Sequence, residues 1–295
     1  MQATATRQAT GERRVERIVP PFKTLEGGGF PVRRPFPTAR LSHFDPFLLL
    51  DHLGPVEWGP GEAIGAPAHP HRGFETVTYL LSGAMQHRDS FGNSGKLGAR
   101  DVQWMTTGSG LIHSELPSPE FLRDGGVMHG FQIWVNLPAR DKMIAPYYQE
   151  IPAAGIPEAE SPDGKVRVRV IAGRAMGKEA VIATRTPIMF LHYVLQAGGE
   201  TSEVVPAAYN ALAYVIEGEL MVGGEHLREG ETALLGTGER VHLAAPKGPA
   251  QALLLAGVPI NEPVARYGPF VMNTQQEIVQ AFSDYQSGKM GHLTE

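Results

Sequence analysis

GAPAHPHRGFETVTYLLSGAMQHRDSFGNSGKLGARDVQWMTTGSGLIHSE, residues 65–115, decides how the rest of the chain is read. It holds two i, i+2 pairs, His69 with His71 and His113 with Glu115. Side chains two apart on a strand point to one face, with backbones roughly 6.6 Å apart, so each pair can aim two donors at one point. Imidazole and carboxylate donors in a chain without cysteine suit a divalent first-row ion rather than thiolate-bound zinc or an iron–sulfur centre. Pro70, between the first two histidines, belongs at a strand entry, an edge or a bulge, and it biases His69 toward an extended backbone. A lone H-x-H is a weak motif. Here the second pair follows a glycine turn, Gly108-Ser109-Gly110, and the strand-like runs TVTYLL and DVQWMTT lie between the pairs. A jelly-roll barrel needs such strands to bring both pairs together. The expectation is a metal site of His69, His71, His113 and Glu115 at the mouth of a β-structure.

Outward from this stretch the text stays β-like. Strand segments are expected at 76–82, 101–107 and 131–136, separated by glycine turns such as SFGNSG, and helix patterns are scarce, which is an all-β signature. Upstream, GGGFPVRRPFP at 27–37 reads as a loop with an irregular strand, and the apolar run within 43–60 as a buried strand. His43 and His52 read as hydrogen-bonded structural histidines, and His87 and His129 lie beside strands with no ligand role assigned. The proline- and alanine-rich text at 138–164 reads as a linker. KVRVRVIAG at 165–173 restarts strict alternation, and strands at 188–196, 211–216, 231–235 and 251–257 complete a second β-domain. The two halves look like copies, because YLLSG at 79–83 echoes YVIEG at 214–218 and DVQWMTTG echoes ETALLGTG. Carried across, His69, His71 and Glu115 fall on Val204, Pro206 and Ala245, and His113 falls on Leu243 beside His242; the second copy has lost the ligands. Boundaries are set at 1–147 for the metal-binding half and 148–295 for the other. A capping box from Thr274 to Glu277, followed by Ile278, Ala281, Phe282 and Tyr285 at helical spacing, predicts one C-terminal helix stopping near Gly288.

The runs HPHRGFETVTYLLSG, DVQWMTTGSGLIHSELP, FQIWVNLP and GPFVMNTQQEI, with DPFLLLD at 45–51 and TRTP at 184–187, resemble the signature segments of the pirin family of the cupin superfamily. The resemblance runs from about residue 30 to about residue 285. It implies two tandem cupin-type jelly-roll barrels, a bicupin, with a short C-terminal helix. It also implies one divalent transition metal per chain, iron(II) first, with copper, manganese, nickel and zinc accepted by the same donors. The ligands carried over are His69, His71, His113 and Glu115. The general cupin pattern would take its carboxylate from the first motif, here Glu75; the pirin pattern takes Glu115 and leaves Glu75 a supporting role. The activity implied is that of a quercetin 2,3-dioxygenase, acting on a small aromatic substrate and dioxygen, with Glu115 as the base. The alternative implied is a non-catalytic, iron-dependent redox regulator that binds protein partners.

Composition narrows the partners. At 295 residues the chain can bury a substantial core, and 42% hydrophobic with 19% charged residues is ordinary for a globular protein. A formal charge of −5 offers no basic footprint for nucleic acid. No apolar run reaches membrane-spanning length and no signal-peptide core stands near the start, so a cytoplasmic home is expected. The opening MQATATRQATGERRVER reads as a frayed tail before a first strand at Glu16–Val19.

Overall fold

Strand alternation organises the chain from the side chains outward. Val166, Val168 and Val170 are fully buried while Arg167 between them is exposed, which pins the register of the strand Val166–Ala172. Arg169 breaks the pattern: it is buried beneath the edge strand Glu158–Glu160, with Glu158 Oε1 3.0 Å from its Nε. The computed structural model describes residues 11–293 and is built mostly of antiparallel strands of this kind. Among the described residues the first strand is Val15–Val19. The tail reading for residues 1–10 lies outside them.

Two compact units emerge. One comprises residues 11–21 with Pro157–Pro259. Its seven-stranded sheet runs Val15–Val19, Thr232–Leu235, Asn210–Glu217, Ala250–Gly257, Ile188–Leu195, Val166–Ala172, Glu158–Glu160. A four-stranded sheet, Gly199–Val204, Arg240–Ala245, Glu219–Val222, Glu225–Arg228, completes it. An aliphatic cluster that includes Leu191, Val215, Leu243, Ala245 and Leu254 fills the interior.

The other unit comprises Phe22–Ile156 with the residues from Ile260 onward. Its seven-stranded sheet runs Tyr147–Ile151, Val102–Thr106, Phe74–Ser82, Gly126–Asn136, Phe47–Trp58, Phe30–Phe36, Phe22–Glu26. Its four-stranded sheet is Ala66–His71, Leu111–Pro117, Met85–Asp89, Ser94–Leu97. Both units therefore have a seven-plus-four arrangement, with Ala250–Gly257 or Gly126–Asn136 at the centre of the seven-stranded sheet, as suits tandem cupin barrels.

The units do not follow the contiguous halves 1–147 and 148–295. Strand Val15–Val19 pairs with Thr232–Leu235, which draws the chain's start into the second barrel's sheet. Strand Tyr147–Ile151, inside the expected linker, pairs with Val102–Thr106 and closes the same edge of the first barrel. The chain's end joins that first barrel as well. Helix Gln275–Gln286 forms with both halves of the capping box made, Thr274 with Glu277, and buries Ile278 and Ala281. These pack with Phe270, Met272 and Met290 against Ile112 of the strand Leu111–Pro117. The short helix Pro119–Asp124, capped by Ser118, was too brief to leave a periodic signal.

Polar ties hold this C-terminal segment in place. Arg72 Nη1 donates to Asp284 Oδ2 at 2.9 Å in a buried pair. Gly73 has φ +89°, and a Cβ there would stand 2.0 Å from Val271 O, so only glycine permits that approach. Lys142 is buried and its three N–H donors meet Gly73 O and Asn136 Oδ1 at 2.7 Å and Val271 O at 3.1 Å. Burial lowers its pKa to about 8, so it remains charged at neutral pH and matched to three acceptors. No helix among the described residues is long and apolar enough to cross a membrane.

Lys142→Met removes these three donors and leaves buried acceptors without partners, a loss of about 2–4 kcal/mol in stability. Urea unfolding should show a lower midpoint, and hydrogen exchange should quicken first in Phe270–Met272 and the C-terminal helix. An unchanged midpoint with unchanged exchange would show that Lys142 is not the tie.

Candidate metal centre

Ala66–His71 is an edge strand of its four-stranded sheet, which accommodates Pro70 without loss of a ladder bond. It pairs antiparallel with Leu111–Pro117, placing His69 opposite His113 and His71 opposite Leu111. The register then shifts, so that Glu115 faces Ala66. Pro67 and Ala68 are the residues taken up by this bulge. Strand pairing thus brings His69, His71 and His113 to one point, and among the described residues their side-chain nitrogens form the group whose members all lie within 4.8 Å of one another.

The contacts are directional. His69 Nε2 lies 3.0 Å from His71 Nε2 and 3.0 Å from His113 Nε2. His69 Nδ1 donates to Pro67 O at 2.7 Å and His71 Nδ1 to Pro269 O at 3.3 Å. A carbonyl only accepts, so in the neutral rings both Nε2 atoms bear lone pairs. Burial, and then the neighbouring His69, hold the pKa values of His71 and His113 well below the usual histidine range, which keeps these rings neutral. Two lone pairs facing each other at 3.0 Å call for a shared cation. Imidazole nitrogens sit about 2.0–2.1 Å from a first-row divalent ion, so two at right angles about it are about 3 Å apart. The cluster fits one such ion, and the backbone carbonyls that orient two of its rings are the supports such sites use.

Glu115 stands on the same strand as His113 and lines the same cavity, outside the three-nitrogen group. The Thr78 hydroxyl lies 2.8 Å from Glu115 Oε1 and 2.8 Å from Gln132 Oε1, and its one proton can be donated to either acceptor. Glu115 Oε2 takes no part in this contact. Glu75 is turned the other way. It alternates with Thr78 on the strand Phe74–Ser82 and takes a hydrogen bond from Thr106 Oγ1 at 2.6 Å, away from the cavity. The other histidines singled out in the sequence serve elsewhere: His52 Nε2 and His129 Nε2 are 2.6 Å apart in stacked rings, and His87 pairs with Glu150 beside Tyr148. His43 Nδ1 lies 3.0 Å from Ser42 Oγ, and His242 lies 3.5 Å from Glu200. In the other barrel, Leu243 and Ala245 are fully buried in apolar surroundings.

The cavity beside the cluster has a volume of about 490 Å³ and lies between the two sheets of this barrel, within the roughly 300–1,000 Å³ that hold small organic ligands. Its wall combines apolar residues such as Phe30, Leu49, Met128 and Trp134 with a polar set of Thr78, Gln132, Arg34, Asp51 and Arg266. Sequence reading missed this polar set. Thr78 and Gln132 are register partners, a relation visible only once the strands are paired. Arg266 arrives from the C-terminal segment, and no local pattern announces it.

Comparison with known proteins agrees with this architecture. The family model described as Pirin matches residues 29–135, and the one described as Pirin C-terminal cupin domain matches residues 190–291. The chain is 45% identical over 270 residues to a pirin-like protein of Solanum lycopersicum, covering 90% of this chain and 89% of the relative. It is 42% identical over 273 residues to the Pirin of Homo sapiens, covering 90% of each. A crystal structure of quercetin 2,3-dioxygenase from Acinetobacter baumannii superposes with a TM-score of 0.91 at 37% identity, covering 96% of this chain and 100% of the other. With two cupin barrels, one bearing a three-histidine cluster that suits a single metal, the chain belongs to the pirin family of the cupin superfamily.

Proposed function

We propose that this protein is a mononuclear metal-dependent dioxygenase that cleaves flavonols such as quercetin, with iron(II) held by His69, His71, His113 and Glu115. The observation that carries the reading is the convergence of three imidazole nitrogens, two of them from rings that line a cavity large enough for an aromatic substrate. The likeness to a quercetin 2,3-dioxygenase over nearly the whole chain supports it. Three histidines and one carboxylate leave open positions on an ion, as substrate chemistry requires and a closed structural site does not. When bound, the ion supplies charge that acidifies a ligated hydroxyl and redox access to dioxygen.

The chain's own residues do the rest. Phe30, Leu49 and Met128 exclude water from the aromatic rings. Thr78 holds Glu115 Oε1 and so fixes the carboxylate's orientation, leaving Oε2 to accept the substrate's hydroxyl proton. In the overall reaction both atoms of dioxygen enter the flavonol and one ring carbon leaves as carbon monoxide, so no further reductant is needed.

Iron-, copper- or manganese-loaded protein should consume oxygen with quercetin and release carbon monoxide in equal amount. If it consumes none, and oxidation of the metal instead alters affinity for a protein partner, the protein is a regulatory binding module. Glu115→Gln tests the proton step, because it keeps the shape and removes the basicity. With Glu115 as ligand and base, the variant should keep some metal through the three histidines and lose about a hundredfold in turnover per bound metal. Near-normal turnover per metal would remove Glu115 from the reaction.

A further inference from the structure

Two arginines line the cavity, and they are partnered differently. Arg34 is locked: its Nε and Nη2 grip Asp51 in a forked pair at 2.6 and 2.5 Å, and Nη2 also meets Glu26 Oε1 at 2.5 Å. Arg266, by contrast, gives Nη1 to Leu48 O at 3.2 Å and stands over the Trp134 ring, its central carbon 4.6 Å from the centroid. Among the described residues no carboxylate lies within ion-pairing distance of it. Trp134 in turn meets the His71 ring edge-on, with centroids 5.1 Å apart. Guanidinium, indole and the histidine cluster therefore follow one another along one wall.

A half-buried cation with no carboxylate in direct contact is expensive: burial followed by repulsion from Arg34 lowers the Arg266 pKa, and attraction to the more distant Glu26 and Asp51 offsets this only in part. The neighbouring Asp51 is already committed to Arg34. What relieves Arg266 is an anion in the cavity. A guanidinium is planar, permanently charged and suited to gripping an oxyanion with two N–H groups, and stacking on an indole fixes its plane beforehand.

We propose that Arg266 binds an oxyanion on the substrate, so that the cavity selects aromatic anions bearing a carboxylate or a phenolate, with the anionic group on Arg266 and the reacting end at the histidine cluster. This rests on the reading of the cavity as the site of an aromatic substrate. It makes Arg266 a specificity-determining residue supplied by the C-terminal segment.

The test is calorimetric titration of the metal-loaded, full-length protein at pH 7 with 2-naphthalenesulfonate, a weakly coordinating aromatic oxyanion, and with its neutral sulfonamide. The native protein should bind the sulfonate about tenfold tighter or more, the scale of a charged hydrogen bond. Arg266→Gln should abolish that preference and leave sulfonamide affinity within about twofold. Arg266→Lys, which keeps the charge, should restore part of the preference. Equal binding of the two probes by the native protein, survival of the preference in Arg266→Gln, or no recovery in Arg266→Lys would each overturn the assignment. Because binding is read without turnover, failure of oxygen uptake with flavonols leaves this preference standing. Loss of the preference with oxygen uptake intact removes only the role of Arg266.

Discussion

The approach of His69 Nε2 to His71 Nε2 and His113 Nε2, 3.0 Å in each case, is the constraint on which the first barrel depends. Two of these rings are turned by backbone carbonyls so that lone pairs meet, an arrangement that costs free energy unless a cation lies between them. The fold supplies the geometry through strand pairing. An edge strand takes the prolines, a bulge sets Glu115 opposite Ala66, and the pairing of His69 with His113 brings their rings together. The second barrel repeats the sheets with Leu243 and Ala245 in an apolar core, and among its described residues no such conflict of lone pairs occurs.

Structure around the centre is tied from an unexpected direction. Residues 260–293 belong to the unit that carries the histidine cluster, and they touch it at several places. Pro269 O orients His71, Arg72 grips Asp284, and Lys142 joins Gly73 to Val271. Arg266 on Trp134 lines the cavity. The last part of the chain thus helps to build the site of the first part, and it supplies the cation that faces the cavity.

Much of this was legible in the sequence. The i, i+2 pairs located the two strands that bear the histidine cluster, because a period of two is a property of any strand. The capping box located the C-terminal helix, because Thr274 and Glu277 satisfy each other locally. Valine alternation at 166–170 located the start of the second barrel's outer sheet. What escaped was non-local. The exchange of ends depends on Val15–Val19 finding Thr232–Leu235 across more than two hundred residues, and a five-residue strand gives no hint of its partner. The bulge at Pro67–Ala68 sets Glu115 opposite Ala66, a pairing that strict alternation could not anticipate. Thr78, Gln132 and Arg266 are ordinary polar residues until pairing and packing place them in one cavity.

The central claim is that one ion sits on these three imidazoles and opens to a flavonol. X-ray absorption at the iron edge of the iron(II)-loaded protein, recorded without oxygen and then with quercetin, tests it most directly. The account predicts one iron per chain, scattering from three imidazoles, and a changed oxygen shell when quercetin is added. Iron without imidazole scattering, or a spectrum that quercetin leaves unchanged, would contradict it.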